Sequence, residues 1–542
     1  VKNKVKQGTR GRRARVTAPG HFALLLHAHL PFVRHPEHPR QLEEHWLFEA
    51  VTDAYLPLLG LLREAAERES RFRLTLSLSP TLLCMLADPL LAGRYLDYLD
   101  RLDRLVERLT RDSRSDPERH SLARFYRRRL ERLRAFYLDE LSSDLIAAFA
   151  ALAASGMVEL MTTAATHGYL PLLRSRPMAV RAQLRVARDH FRATFGHAPN
   201  GLWLPECGYY PDLEHEVAQA GYRYIVLDAH GLQQASPRPR HGVYAPLTTE
   251  AAVAVFGRDP DSAREIWCPS TGYPGHSLYR EYHQDPGYEG DPDLLADFLP
   301  PWVGAAPTGL KFHRVTGRTD SKAPYEPAAA RSQAERDARR FVTARRRRFG
   351  SLSFATRPPL IVAPYDAELF GHWWFEGPIF LDGLIRCLDR ARDVQPVTLS
   401  EHLCLHGTAG KIHPTTSSWG EHGYNGTWLR PDTGWVYLHL HQAAGEFKGL
   451  VNERERMPEQ DRTSRLLRQA ARSLLLAQSS DWTFHLGREG GSAYCESRLR
   501  DQLARFRLLT GAVRNGRMRD EQLSALEGMD NLFPDLDLRH FG

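Results

Sequence analysis

Short apolar runs punctuate the chain, and most are followed by a stretch whose apolar residues recur at helical spacing. Seven of them read as strands: Phe22–Leu26, Phe72–Leu78, Met157–Met161, Gly201–Leu204, Tyr224–Leu227, Ala252–Phe256 and Leu360–Ala363, each bounded by polar residues, glycine or proline. Strands alternating with helices place the chain in the α/β class and predict a parallel sheet or barrel. Between the second and third runs, Leu99, Leu102, Val106 and Leu109 lie at helical spacing, and Leu122, Phe125, Leu130, Leu133 and Phe136 do so after a break at Ser115-Asp-Pro117. That pattern predicts a helical hairpin inserted at about residues 90–150. Beyond about residue 395 the strand signal fades and helical runs take over, at Val436–Leu450, Ser464–Gln478 and Cys495–Leu509. The expected organisation is a polar tail over 1–20, a strand-and-helix unit over 21–395 and a C-terminal helical domain over 396–542.

Composition narrows the class further. With 542 residues, 42% hydrophobic and 25% charged, the chain has room for a large enzyme domain and smaller additions. No window approaches eighteen consecutive apolar residues, so no membrane-crossing helix is expected. The formal charge of +7 is carried entirely by Lys2, Lys4, Lys6, Arg10, Arg12, Arg13 and Arg15, in a tail read as disordered. The rest sums to zero, which argues against a nucleic-acid-binding surface. Arginines in the hairpin alternate with Asp103, Glu107 and Glu131, so a solvated face is expected there, and again at Arg345–Arg348. The apolar run before His27 is only Phe22–Leu26, too short for a secretory signal. Six cysteines (Cys84, Cys207, Cys268, Cys387, Cys404 and Cys495) are scattered without a CxxC pair, which fits a reducing cytoplasm better than a disulfide scaffold or a structural zinc site.

The chemistry collects where strands end. The first run leads into His27-Ala-His29, the third into Thr162-Thr-Ala-Ala-Thr-His167, the fourth into Leu204-Pro-Glu206 and the last into Pro364-Tyr-Asp366-Ala-Glu368. In a parallel barrel such ends converge on one face, where active sites form. Glu206 and Asp366 each follow an apolar strand and a proline among aromatics, a pairing that suits glycosidic bond chemistry with one carboxylate attacking and the other donating a proton. A helix N-cap is the plainer reading of Asp366. Trp203, Trp267, Trp373, Trp374, Trp419 and Trp428 occupy polar, Gly-rich contexts where flat rings can stack on sugars, whereas Trp435 and Trp482 adjoin helical patterns and read equally well as core. A metal reading uses His27 and His29, whose rings share one face of an extended segment, with His167 and a carboxylate; no HxxxH partner motif accompanies them, and no metal or cofactor is expected.

These residues also carry a resemblance. His27-Ala-His-Leu-Pro-Phe32, His167-Gly-Tyr-Leu-Pro171, Trp203-Leu-Pro-Glu-Cys-Gly-Tyr209, Ala363-Pro-Tyr-Asp-Ala-Glu-Leu-Phe-Gly-His-Trp-Trp374 and Ser418-Trp-Gly-Glu421 resemble segments of glycoside hydrolase family 57, and within it the 1,4-alpha-glucan branching enzymes. The resemblance implies a seven-stranded (β/α) barrel and a retaining mechanism without metal, with Glu206 as nucleophile and Asp366 as general acid/base. It further implies that His27, His29 and His167 line the subsite at the cleaved bond, that Arg258, Trp267 and Gly275 bind substrate, and that Trp419, Trp428 and Asp481 approach the donor from the helical domain. Its partner would be an alpha-glucan such as amylose or glycogen. Branching enzymes of the family carry an aromatic-tipped lid after the nucleophile strand; here Asp228–Pro246 is short, with His241 and Tyr244 taken as its aromatic candidates. The alternatives are an amylase or 4-alpha-glucanotransferase of the same family, a metal-dependent deacetylase or mannosidase-type hydrolase, and a non-catalytic glucan-binding protein.

Overall fold

The computed structural model describes residues 20–542 apart from 269, 290, 291, 318, 320, 353–356, 455–460, 489 and 490. The predicted tail lies outside the described residues except for Gly20, which opens the first strand. Nine strands are present among these residues: β1 (Gly20–Ala28), β2 (Leu74–Leu78), β3 (Val158–Met161), β4 (Gly201–Leu202), β5 (Tyr224–Leu227), β6 (Leu247–Thr248), β7 (Ala254–Gly257), β8 (Leu360–Asp366) and β9 (Val394–Pro396).

All seven apolar runs form strands, but the hydrogen bonding differs from a single seven-stranded barrel. One sheet has the order β3-β2-β1-β8, with β9 also on β1; the other has the order β4-β5-β7-β6. Every pairing is parallel except β6 with β7. At the two seams the ladder shrinks to isolated parallel bridges, Thr162 with Leu202 and Arg258 with Val362. β6 and β9, of two and three residues, were not anticipated.

β1 is buried along its whole length, as a parallel strand covered on both faces must be. Its side chains alternate between two cores. Phe22, Leu24 and Leu26 join the large core under the helices, while Ala23 and Leu25 join a second cluster with Met161, Tyr224, Val226, Phe256 and Val362. Each large apolar side chain buried this way contributes about 2 kcal/mol. Val397 and Leu399 belong to the second cluster too, so the chain just past residue 396 packs with the strands before the helical region begins.

The insertion is a hairpin of Pro89–Asp112 and Pro117–Ala135, each helix started by an aspartate cap, Asp88 or Asp116, and a proline in the first turn. Its buried stripe includes Leu99, Leu102, Val106 and Leu109, as the spacing predicts. The arginine run behaves otherwise at one position. Arg345 is 3% exposed, its Nη2 donates to Glu265 at 2.5 Å, and its guanidinium lies 4.3 Å from the Phe341 ring centre. Glu265 lies on the helix Pro260–Trp267, so one of four consecutive arginines on Pro327–Ser351 turns inward to meet it. The C-terminal region is built from Gly434–Arg454, Asp461–Ala477, Ser492–Asn515 and Asp520–Met529.

The loop after β8 is clamped to the π-helical turn Val51–Tyr55 at Gly371, whose φ of +129° and bare Cα let it sit on the Asp53 backbone. A Cβ there would stand 1.7 Å from the Asp53 carbonyl oxygen. Gly371→Ala is therefore expected to destabilise the fold by about 3 kcal/mol, read as a lower midpoint in urea denaturation.

Candidate active site

The parallel register sets the height of each reactive group. In β1, His27 pairs with Ser77 of β2 on one side and with Asp366 of β8 on the other. Residues following β3, β4 and β7 arrive beside them, and with His27 and Asp366 they face one cavity of about 1060 Å³. Of the residues singled out above, His27, His29, His167, Glu206, Arg258, Trp267, Asp366, Glu368, Trp373, Trp419, Trp428 and Asp481 line it. Gly275 does not; it closes the turn Tyr273–Gly275 outside that lining.

Glu206 sits in a tight turn after β4, Pro205–Cys207, with φ +59° at Glu206 and +52° at Cys207. Left-handed conformations at non-glycine residues cost about 1 kcal/mol or more each, and they aim the carboxylate into the cavity. The turn is held by the Trp419 N–H, which donates to the Glu206 carbonyl oxygen at 3.0 Å. The carboxylate is held at both oxygens: Trp419 Nε1–H donates to Oε2 at 2.6 Å and the Ser480 hydroxyl to Oε1 at 3.2 Å. Burial pushes its pKa up to about 7; the Trp419 bond opposes that, and the Asp481 charge adds to it.

Asp366 ends β8 without capping the short turn that follows, so the N-cap reading does not hold. Among the described residues no hydrogen bond reaches its carboxyl. Burial, then the charges of Glu368 and Glu206, hold its pKa far above the usual carboxylate range. Two carboxyls in one cavity thus have different supports: one gripped as an acceptor at both oxygens, the other held by burial and neighbouring acids toward its protonated form.

The histidines are packed as a stack. His167 lies 3.9 Å from His29 and 5.1 Å from His27 between ring centres, both at 17°. His27 bonds Ser77 Oγ at 3.1 Å and His167 Nε2 at 3.1 Å; His167 Nδ1 bonds Ser480 Oγ at 2.9 Å. Burial lowers the pKa of His27 and His167 well below the ordinary value, so both are neutral. His29 bonds Asp481 Oδ2 at 3.1 Å, and against the effect of burial its neighbourhood holds that carboxyl well below the usual range. Among the described residues, His29, His167 and Asp481 form the one group whose ligand atoms lie within 4.8 Å of one another. Yet Nε2 of His29 and both nitrogens of His167 are already committed to protein partners.

The tryptophans divide. Trp419 lies 5.6 Å from the Arg258 guanidinium, whose Nη1 donates to Asp228 at 3.1 Å. Trp267 and Trp373 are 36% and 41% exposed, 6.0 Å apart, and form a rim open to solvent. Trp203 and Trp374 instead lie in the core, 0% and 1% exposed, because these Gly-containing segments are folded inward. Trp428 is in the cavity wall but 1% exposed, stacked 4.2 Å from Tyr169. Of the uncommitted pair, Trp482 is core at 1% exposed. Neither lid candidate reaches the site. The Tyr244 carbonyl accepts from Leu360 N–H at the start of β8, the opposite end of the strand from Asp366, and His241 precedes it by one turn.

Sequence reasoning missed Ser77, Asp228 and Ser480, and gave Glu368 only as the end of the last strand-end segment, with no role. Ser77 and Asp228 stand at strand ends and fall under the same positional rule as His27. Glu368 accepts from the His29 N–H at 3.0 Å and from the Tyr55 hydroxyl, and burial pushes its pKa up to about 7. Ser480 follows an apolar helix with nothing in its spacing to mark it.

The chain as a whole is similar to known proteins. The family model Glycosyl hydrolase family 57 matches residues 23–274, and one described as 1,4-alpha-glucan branching enzyme, C-terminal, matches 439–541. A curated relative from Mycobacterium tuberculosis, named "Probable 1,4-alpha-glucan branching enzyme", is 32% identical over 96% of this chain and 98% of its own. Among solved structures, the alpha-amylase AmyC of Thermotoga maritima shares 34% identity with a TM-score of 0.89, covering 96% of this chain and 99% of that one. The GH57-type branching enzyme of Pyrococcus horikoshii shares 30% with a TM-score of 0.87, covering 96% of both. Matched end to end by these relatives, with the strand-end residues gathered in one cleft, the chain belongs to glycosyl hydrolase family 57.

Proposed function

We propose that this chain is a 1,4-alpha-glucan branching enzyme: it cleaves an alpha-1,4 bond, carries the released chain on Glu206, and passes it to the 6-hydroxyl of an acceptor glucan. The observation that carries the reading is the unequal support of the two carboxyls. Glu206 accepts hydrogen bonds at both oxygens, as a nucleophile that must be ionised requires, while Asp366 meets no donor among the described residues and has the acids Glu368 and Glu206 beside it, as a proton donor requires. Asp366 would protonate the departing sugar oxygen and then take the proton of the incoming hydroxyl. Trp419, Arg258, Trp267 and Trp373 would hold the glucan, and Asp481 and His29 its hydroxyls. Full-length similarity to proteins named as branching enzymes supports the substrate class.

The same reading closes the two sheets into a seven-stranded parallel barrel of β1, β2, β3, β4, β5, β7 and β8. The bridges at both seams and the shared inner cluster support it. Six free cysteines support a reducing compartment, the cytoplasm.

A second reading, net hydrolysis, is favoured by two observations: His241 and Tyr244 lie away from the cleft, and the similarity to an alpha-amylase is as extensive as that to branching enzymes. Incubation with amylose decides between them. New alpha-1,6 anomeric signals by proton NMR with few reducing ends are expected; reducing ends without branches would make it an amylase. Glu206→Gln and Asp366→Asn should each lose turnover by on the order of a thousandfold or more while keeping the native circular dichroism. The kcat/KM profile should be bell-shaped. Activity falls below about pH 7 as Glu206 takes up a proton, and falls again at higher pH as Asp366 loses one.

A further inference from the structure

The hydrogen bonds behind Glu206 run in single file, and counting hydrogens along them leaves one arrangement. An ionised Glu206 only accepts, so the Ser480 hydroxyl gives its one hydrogen to Oε1 at 3.2 Å. Ser480 Oγ must then accept from Nδ1–H of His167 at 2.9 Å. A neutral His167 protonated at Nδ1 presents a lone pair at Nε2, which takes the Nε2–H of His27 at 3.1 Å. His27 in turn accepts at Nδ1 from the Ser77 hydroxyl at 3.1 Å. Four groups from four separate segments thus all donate toward one carboxylate.

We propose that Ser480 is a positioning residue for the nucleophile, and that Ser77, His27 and His167 serve to fix the direction of its hydrogen bond to Glu206. The proposal rests on Glu206 being the nucleophile. Trp419 holds Oε2 and Ser480 holds Oε1, so the carboxylate plane cannot swing about its terminal bond. Without Ser480 the plane is tethered from one side. The bond also favours the ionised form, because a donor binds a carboxylate about twice as strongly as a neutral acid. Other groups facing Glu206 are the acids Asp481 and Asp366, the imidazoles of His29 and His167, and the phenols of Tyr169 and Tyr437. Among the described residues none of these donates to Oε1; His167 Nδ1 stands 3.9 Å away and points to Ser480. With both ring nitrogens committed, His27 and His167 orient Ser480 and are neither acid, base nor metal ligand.

The test uses the full chain with Ser480→Ala and the conservative Ser480→Thr. Ser480→Ala should lower kcat about tenfold with KM little changed, and move the acid limb of kcat/KM up by about one pH unit. Ser480→Thr, which keeps the hydroxyl, should restore both. A second readout needs no turnover: carbon-13 NMR of protein labelled at glutamate carboxyls, with the Glu206 signal identified by its loss in Glu206→Gln. Its titration midpoint should rise in Ser480→Ala. An unmoved midpoint and acid limb would overturn the proposal, and so would a fall in kcat that Ser480→Thr leaves unrepaired. If the wild-type chain turned over no alpha-glucan, the proposed function would fall, and the carboxyl titration would still decide the role of Ser480.

Discussion

The cleft depends on one strand being paired on both sides at once. β1 is hydrogen-bonded in parallel register to β2 and β8, and that register alone puts Ser77, His27 and Asp366 at a common height. Two residues on, His29 reaches Glu368 with its backbone and Asp481 with its ring. A strand buried on both faces cannot present polar side chains to water along its length, so its histidines can only stand near its ends or be satisfied internally. His21 illustrates the second course at the other end of β1, where its Nδ1 pairs with that of His402 at 2.9 Å.

Burial makes the chemistry expensive and specific together. Taking Glu206 and Asp366 out of water penalises both ionised forms, and the difference between them comes from what each touches. Those contacts are supplied from far along the chain. Trp419 and Ser480 lie more than two hundred residues beyond Glu206 and return across the strand ends, anchored by bridges from Ser417 to Tyr209 and from Ser479 to Gly168. The helical region therefore completes the site that the strands begin.

How far this was legible follows from the range of each signal. Strands of four residues or more announced themselves as apolar runs between punctuation, and the rule that strand ends converge picked out His27, His167, Glu206 and Asp366, which line one cavity. The inserted hairpin was equally plain, since its aspartate caps and prolines are local signals. What failed was inference about facing. Trp203 and Trp374 looked like loop residues and are core; Arg345 looked solvated and is paired inside. Flanking composition does not report which way a side chain turns when a loop is packed against another element. Ser480 was invisible for a different reason: its importance lies wholly in a contact with Glu206, 274 residues away.

The rim formed by Trp267 and Trp373 meets solvent, and neither His241 nor Tyr244 of the segment after β5 closes over it. On the proposed mechanism the covalent intermediate therefore faces a race between two acceptors. Water is present at fixed concentration, whereas glucan is not, so the share of chains transferred becomes a function of how crowded the surroundings are with polymer. A site of this shape would act as a builder on the surface of a dense granule and as a trimmer in dilute solution, with the partition set by the surroundings and the residues unchanged.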